Sequence, residues 1–140
     1  MPCGPRPLSG RGSPFHSLAG IATASKREVP TIKLAIRKVK PDQESHLRAW
    51  MAELNRRSAE VRETFAQEGV RHEQAYLLKT MEGAVLIYAM EAADHKRAAS
   101  AFQSSALPID QEHKRIMAQV LGESANAELL YECTAEDDAC

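Results

Sequence analysis

The run Ala84-Val-Leu-Ile-Tyr-Ala-Met90 constrains this chain more than any other feature. It is the longest apolar stretch in the sequence and falls well short of the ~20 residues that cross a bilayer, so it reads as a strand. A strand with one face in water alternates apolar and polar residues. This one does not. Val85, Ile87 and Ala89 share one face, and Leu86, Tyr88 and Met90 share the other. Both faces are therefore expected to be dry. Helices cover one of them. The other needs a cover that a small domain lacks, and a second copy of the same sheet is the simplest, so we expect a homodimer.

The flanking sequence supplies neighbours for this strand. Thr31 to Lys38 alternates, with Ile32, Leu34 and Ile36 on one side and Lys33, Ala35 and Arg37 on the other, as in a half-buried strand. We expect the Ile side to meet the helices. Lys33 and Arg37 would then line a polar pocket between the sheets of two copies. Pro41-Asp42 stops the strand, and Asp42 is expected to cap a helix with Glu44 in its first turn. Leu47, Trp50, Met51, Leu54, Val61 and Phe65 make an apolar stripe along that helix, which Gly69 closes.

Val70 to Lys79 reads as a second strand, with Met81-Glu82-Gly83 as a tight connection into the third. Asp94 is placed to cap a short helix bearing Ala98, Ala99 and Phe102. A further helix is expected from near Asp110 to Gly122, and Glu128-Leu-Leu-Tyr-Glu-Cys133 as the fourth strand. The order βαββα(α)β is the ferredoxin-like α+β arrangement. Its antiparallel sheet of four strands carries helices on one face, with the first and third strands central.

A chain of 140 residues is one domain long, and this domain is expected to span residues 31–134. Residues 1–30 differ in kind: they hold five of the seven prolines and four of the seven glycines, and no acid before Glu28. Such a segment buries too little apolar surface to offset its ordering entropy and is expected to be disordered. Arg6, Arg11, Lys26 and Arg27 among serines give it some likeness to a transit peptide, and Ala22-Thr23-Ala24 to a cleavage site. His16, Ser17 and Gly20 break its apolar stretch, and we read it as a nonfunctional extension. Residues 135–140 read as a frayed acidic tail.

Net charge is −1, which provides no basic field for nucleic acid or an anionic membrane. Cys3, Cys133 and Cys140 lack C-x-x-C spacing, and an odd number cannot all pair within one chain, so free thiols in a reducing cytoplasm are expected.

The candidate chemical groups are few. His113 lies one turn before Ile116 and Met117, on the apolar side of its helix, with Asp110 and Glu112 nearby to orient its ring. It is the candidate acid or base, while the plainer account makes Asp110 an N-cap and His113 a locally satisfied side chain. Asn55 and Arg56 sit beside the buried stripe. Arg56 offers a fork of donors, although a solvated pair with Glu60 is its plainer role. Tyr88 and Arg37 would present a phenol and a guanidinium to a ligand between the sheets. Arg37, Asn55, Tyr88 and Asp110 are thus the candidate ligand-binding residues. The histidines are too scattered for a metal site, no phosphate-binding loop or G-x-S-x-G nucleophile is present, and no cofactor is expected.

Three stretches carry a resemblance: Trp50-Met-Ala-Glu-Leu-Asn-Arg-Arg57, Leu86-Ile-Tyr-Ala-Met-Glu91 and Pro108-Ile-Asp-Gln-Glu-His113. Over residues 32–121 the chain resembles a family of small bacterial proteins of unknown function within the dimeric α/β-barrel superfamily. That superfamily also holds antibiotic-biosynthesis and haem-degrading monooxygenases. The family pattern often has His before Pro-Ile-Asp, where this chain has Leu107. Haem-degrading members carry Trp on a strand and Asn on the first strand. Here the only Trp, Trp50, falls on the first helix and the first strand has no Asn, which disfavours haem degradation.

The expected function is a homodimer that binds a small organic ligand between its sheets. One alternative is a cofactor-independent monooxygenase or isomerase using His113. Another is a structural or stress-associated dimer without a ligand.

Overall fold

A computed structural model describes residues 29–136. The expectations for the extension before Val29, for Cys3 and Cys140, and for the last acidic residues lie outside this range. The elements are β1 (Thr31–Val39), α1 (Glu44–Arg56), α2 (Ser58–Glu68), β2 (Val70–Thr80), β3 (Gly83–Ala92), α3 (His95–Ser104), α4 (Pro108–Val120) and β4 (Leu121–Ala125). The strands run in the order β2-β3-β1-β4 with every neighbour antiparallel, so β1 and β3 are central and the fold is ferredoxin-like.

Local chemistry accounts for most boundaries. Asp94 caps α3, its carboxylate accepting from the Arg97 N–H at 3.0 Å. Gly69 ends α2 at φ 76°, a left-handed conformation that costs glycine little, and donates to the Phe65 carbonyl at 2.9 Å. Gly83, at φ 121°, closes the two-residue turn Met81-Glu82, where the Thr80 hydroxyl donates to its carbonyl at 2.7 Å.

Five expectations need correction. The stripe from Leu47 to Phe65 is carried by two helices, not one, with a break at Arg57. Neither proline nor glycine causes it. The Arg57 guanidinium instead grips both Glu60 oxygens at 2.7 and 2.9 Å and Glu112 of α4 at 2.8 Å, which holds the junction against its neighbour. Asp42 does not cap α1. It takes a left-handed turn at φ 64°, which Asp tolerates, and Gln43 occupies the cap position.

Helix α4 begins at Pro108, so Asp110 lies inside its first turn and is no N-cap. The fourth strand is Leu121–Ala125, which follows α4 directly and pairs with β1, whereas residues 128–133 have no regular secondary structure. The edge of β1 takes the first chain that reaches it. Lys40 N–H donates to the Val120 carbonyl at 2.8 Å and turns the chain back along β1 before Glu128 is reached.

The sheet is also turned over relative to expectation. Ladder partners point to the same face. Lys33, Ala35 and Arg37 stand opposite Met90, Tyr88 and Leu86, and Leu86 is 2% exposed in the core beneath the helices. Glu73 and Leu77 join them from β2. The core cluster comprises Leu47, Trp50, Leu86, Ile109, Ile116, Val120 and Leu121. Each such side chain contributes about 1.5–3 kcal/mol by leaving water.

The uncovered face is the apolar one. Ile32, Leu34 and Ile36 lie there with Val85, Ile87, Tyr76 and Leu78. Ile32 is 64% exposed, Tyr76 53%, Leu78 49% and Leu34 44%.

Candidate functional site

Because Lys33 and Ala35 face the helices rather than the open side, the space above them is incompletely filled. A cavity of about 300 Å³ lies between the sheet and the helices of a single chain. Strands supply Ala35, Tyr88, Met90 and Glu73, and helices supply Leu54, Val61, Phe65, Ala98, Phe102 and Ile109. Its polar groups gather around Thr64, Glu68, Asp110 and His113. Mostly apolar walls with a few converging polar groups are the usual build of a small-molecule site.

His113 is held at both ring nitrogens. The Trp50 Nε1–H donates to Nδ1 at 2.8 Å. An indole can only donate, so Nδ1 carries no proton and the neutral ring has its hydrogen on Nε2. That Nε2–H lies 3.3 Å from the Tyr88 hydroxyl oxygen. Burial pushes the His113 pKa down to about 4, against the opposing pull of the Asp110 charge, so the ring is neutral at neutral pH. Burial also pushes the Tyr88 hydroxyl up, which keeps it protonated. Phe102 packs edge-on against the imidazole at 5.7 Å between centroids.

A second polar group is built on carboxyls. The Thr64 hydroxyl is 2.7 Å from Glu68 Oε1 and 2.6 Å from Asp110 Oδ2, and Ser105 donates to the same Asp110 oxygen at 2.5 Å. All four residues are buried. Thr64 has one proton to give, so it serves one carboxylate and must accept from the other acid. Burial pushes the Glu68 pKa up more than the Thr64 hydrogen bond lowers it, and the Asp110 charge adds to the rise. Glu73, across the cavity on β2, is pushed up to about 7 by burial and then by Glu68.

The structure brings Tyr88, Asp110 and His113 to this cavity. It does not bring Arg37 or Asn55. Arg37 shares the face of Tyr88, but its Nε donates to the Gly122 carbonyl at 2.9 Å and ties β1 to β4. Asn55 is exposed, a turn of about 100° around the helix from the half-buried Leu54 beside it. Arg56 pairs with Glu53 rather than Glu60. Glu112 is occupied by Arg57 and does not orient the imidazole. Asp110 acts on His113 through its charge, while its oxygen is engaged by Thr64 and Ser105.

Residue-by-residue reading missed Thr64, Glu68 and Glu73. A signal was present for two of them, because Thr64 and Glu68 stand three and seven positions after Val61, on the apolar stripe itself. A polar residue on such a stripe must find a buried partner. Among the described residues, no group of three or more His, Cys, Asp and Glu is placed to hold a metal ion, and no helix is long and apolar enough to cross a membrane.

Fold and cavity together define a ferredoxin-like α+β protein with its candidate site inside one chain. The chain belongs to DUF6176, a family of unknown function, which it matches over residues 31–138. No curated protein matches it. Among solved structures it is similar to tetracenomycin F2 cyclase from Streptomyces glaucescens, a type-II polyketide cyclase. That pair shares 23% identity over 76% of this chain and 99% of the other, with a TM-score of 0.50. It is also similar to Rv0793 from Mycobacterium tuberculosis, at 20% identity over 77% of this chain and 100% of that one, with a TM-score of 0.46. At this identity the cyclase shares the fold and nothing further follows from it.

Proposed function

We propose that this protein is a homodimer whose subunits each bind a small, largely apolar organic molecule in the cavity between sheet and helices. The observation that carries this reading is the cavity itself, about 300 Å³ with apolar walls and polar groups converging from α2, α4 and β3. Rigid elements hold those groups, so little ordering entropy is lost when a ligand arrives. The site belongs to one subunit, in place of the inter-sheet space expected from sequence. Naphthalene is a suitable first probe. Ala98 is 3% exposed and lines the cavity, so Ala98→Leu puts methyl groups where a ligand would sit. Calorimetric titration is expected to show naphthalene binding to the native chain and at least about tenfold weaker binding to the variant. A native protein that takes up no naphthalene would overturn the proposal.

The uncovered sheet face supports the dimer. Eight strand residues, Ile32, Leu34, Ile36, Val85, Ile87, Ala89, Tyr76 and Leu78, form a continuous apolar or aromatic surface on β1, β3 and β2. Patches of this kind on soluble proteins mark association sites. A symmetric copy matches the face to itself without further elements. Leu34→Arg places a charge at its centre, on the central strand. Sedimentation velocity at micromolar concentration is expected to give two chains for the native protein and one for the variant, with dimer affinity weakened by at least about 100-fold. A native protein sedimenting as one chain removes the dimer but not the cavity.

Catalysis by His113 as a free acid or base has less support, because Trp50 and Tyr88 already engage both ring nitrogens.

A further inference from the structure

We propose that the Tyr88 hydroxyl selects the ligand by donating a hydrogen bond to a neutral carbonyl oxygen, and that Trp50, acting through His113, holds that hydroxyl as a donor. This inference rests on the cavity being a ligand site.

The geometry sets a direction for every proton in the chain. Trp50 Nε1–H fills His113 Nδ1, which forces the ring hydrogen onto Nε2. Nε2–H then fills a lone pair of the Tyr88 oxygen. Tyr88 cannot return its own proton to His113, because neither nitrogen has a free lone pair. Among the described residues, the acceptor recorded for that proton is the Met117 sulfur at 3.9 Å, a thioether and a weak partner. Tyr88 lines the cavity, so a ligand oxygen that replaces the sulfur gains a good hydrogen bond and displaces a poor one.

The charge of the site narrows the acceptor. Three acids, Glu68, Glu73 and Asp110, line the cavity against the single lysine Lys33, so its lining is on balance acidic and disfavours an anionic carboxylate or phenolate ligand. Glu68 and Asp110 are in turn committed to Thr64 and Ser105, whereas the Tyr88 hydroxyl proton has only the Met117 sulfur, so Tyr88 is the hydroxyl open to a ligand. The class that fits is a neutral ketone, quinone, ester or amide on an apolar skeleton, with Phe65 and Phe102 in the wall to pack against it. Trp50 is a positioning residue. It is 4% exposed, belongs to the core, and reaches the ligand only through the tautomer it imposes.

Two probes of one shape test this: 2-acetylnaphthalene and 2-isopropenylnaphthalene, which differ in a carbonyl oxygen against a methylene. The native protein is expected to bind the ketone about tenfold more tightly, and Tyr88→Phe to bring the two to equal affinity. The carbonyl stretch of the bound ketone should lie at lower frequency in the native protein than in Tyr88→Phe. Trp50→Phe should reduce the preference and give a mixed tautomer at His113 in 15N NMR. The native spectrum should show the proton on Nε2 alone, a measurement that needs no variant.

Equal affinity for both probes in the native protein, a preference that survives Tyr88→Phe, or a proton on Nδ1 overturns this inference and leaves the cavity reading standing. If neither probe binds, the cavity reading itself fails and takes this inference with it.

Discussion

Glu73→Gln is expected to raise folding stability at about pH 8 by up to about 3 kcal/mol, and to move the pH of greatest stability upward. Burial is the main cause, holding the Glu73 carboxyl at about 7 against an ordinary 4.5. The folded chain therefore keeps a proton that the unfolded chain has released across that interval. The resulting stabilisation is complete below about 4.5, declines as pH rises, and is gone above about 7. Glu68, also raised, adds to the decline in the same sense.

His113 works in the opposite sense. Its pKa falls from 6.5 to about 4 on folding, so its contribution is present above 6.5 and is lost as pH falls through about 4. The native protein is thus squeezed from both sides, and glutamine at position 73 removes the alkaline side of the squeeze. Urea denaturation from about pH 4 to about pH 8 measures it. A variant no more stable at about pH 8, relative to about pH 5, than the native chain would sink the assignment.

Thr64→Val is expected to cost about 2–3 kcal/mol, whereas Glu68→Gln, two atoms away in the same cluster, should cost less than about 1 kcal/mol. Valine keeps the shape of threonine but leaves two buried acids without the hydroxyl that joins them, at 2.7 and 2.6 Å. Desolvated acceptors left unpaired account for the loss. Glutamine, by contrast, keeps the length of the side chain, can offer an amide hydrogen to the Thr64 oxygen, and removes a carboxyl whose charge burial disfavours. The ordering of the two variants is the test. If Glu68→Gln costs as much as Thr64→Val in urea titrations at about pH 6, burial does not disfavour the Glu68 carboxylate as described.

Much of the fold was legible because periodicity depends on near neighbours. The alternation of Ile32, Leu34 and Ile36, the unbroken run Ala84–Met90 and the stripe from Leu47 to Phe65 each announce an element without knowledge of the rest. Caps behaved likewise where the partner is close in sequence, as at Asp94 and Gly69. Reading failed where two local signals competed for one long-range partner. Residues 128–133 look more like a strand than Leu121-Gly-Glu-Ser-Ala125, yet the latter reaches the edge of β1 first.

The candidate site was legible in part. His113, Tyr88 and Asp110 were singled out and meet at one cavity. Arg37 and Asn55 do not, because one is drawn to a backbone carbonyl of β4 and the other turns to solvent. The Trp50–His113 hydrogen bond joins residues 63 positions apart, and no local pattern encodes it.

By itself, the sequence determined where the first three strands and most of the helical stretches lie and that β3 would be apolar on both sides, since those properties follow from side-chain spacing along a single element. Only the tertiary structure decided which side of the sheet the helices cover. Period-two alternation states that two faces differ but not which is which. Helix packing above Leu86 and Tyr88 resolved it, turning Lys33 and Glu73 inward beside a cavity and leaving Ile32 and Leu34 outside.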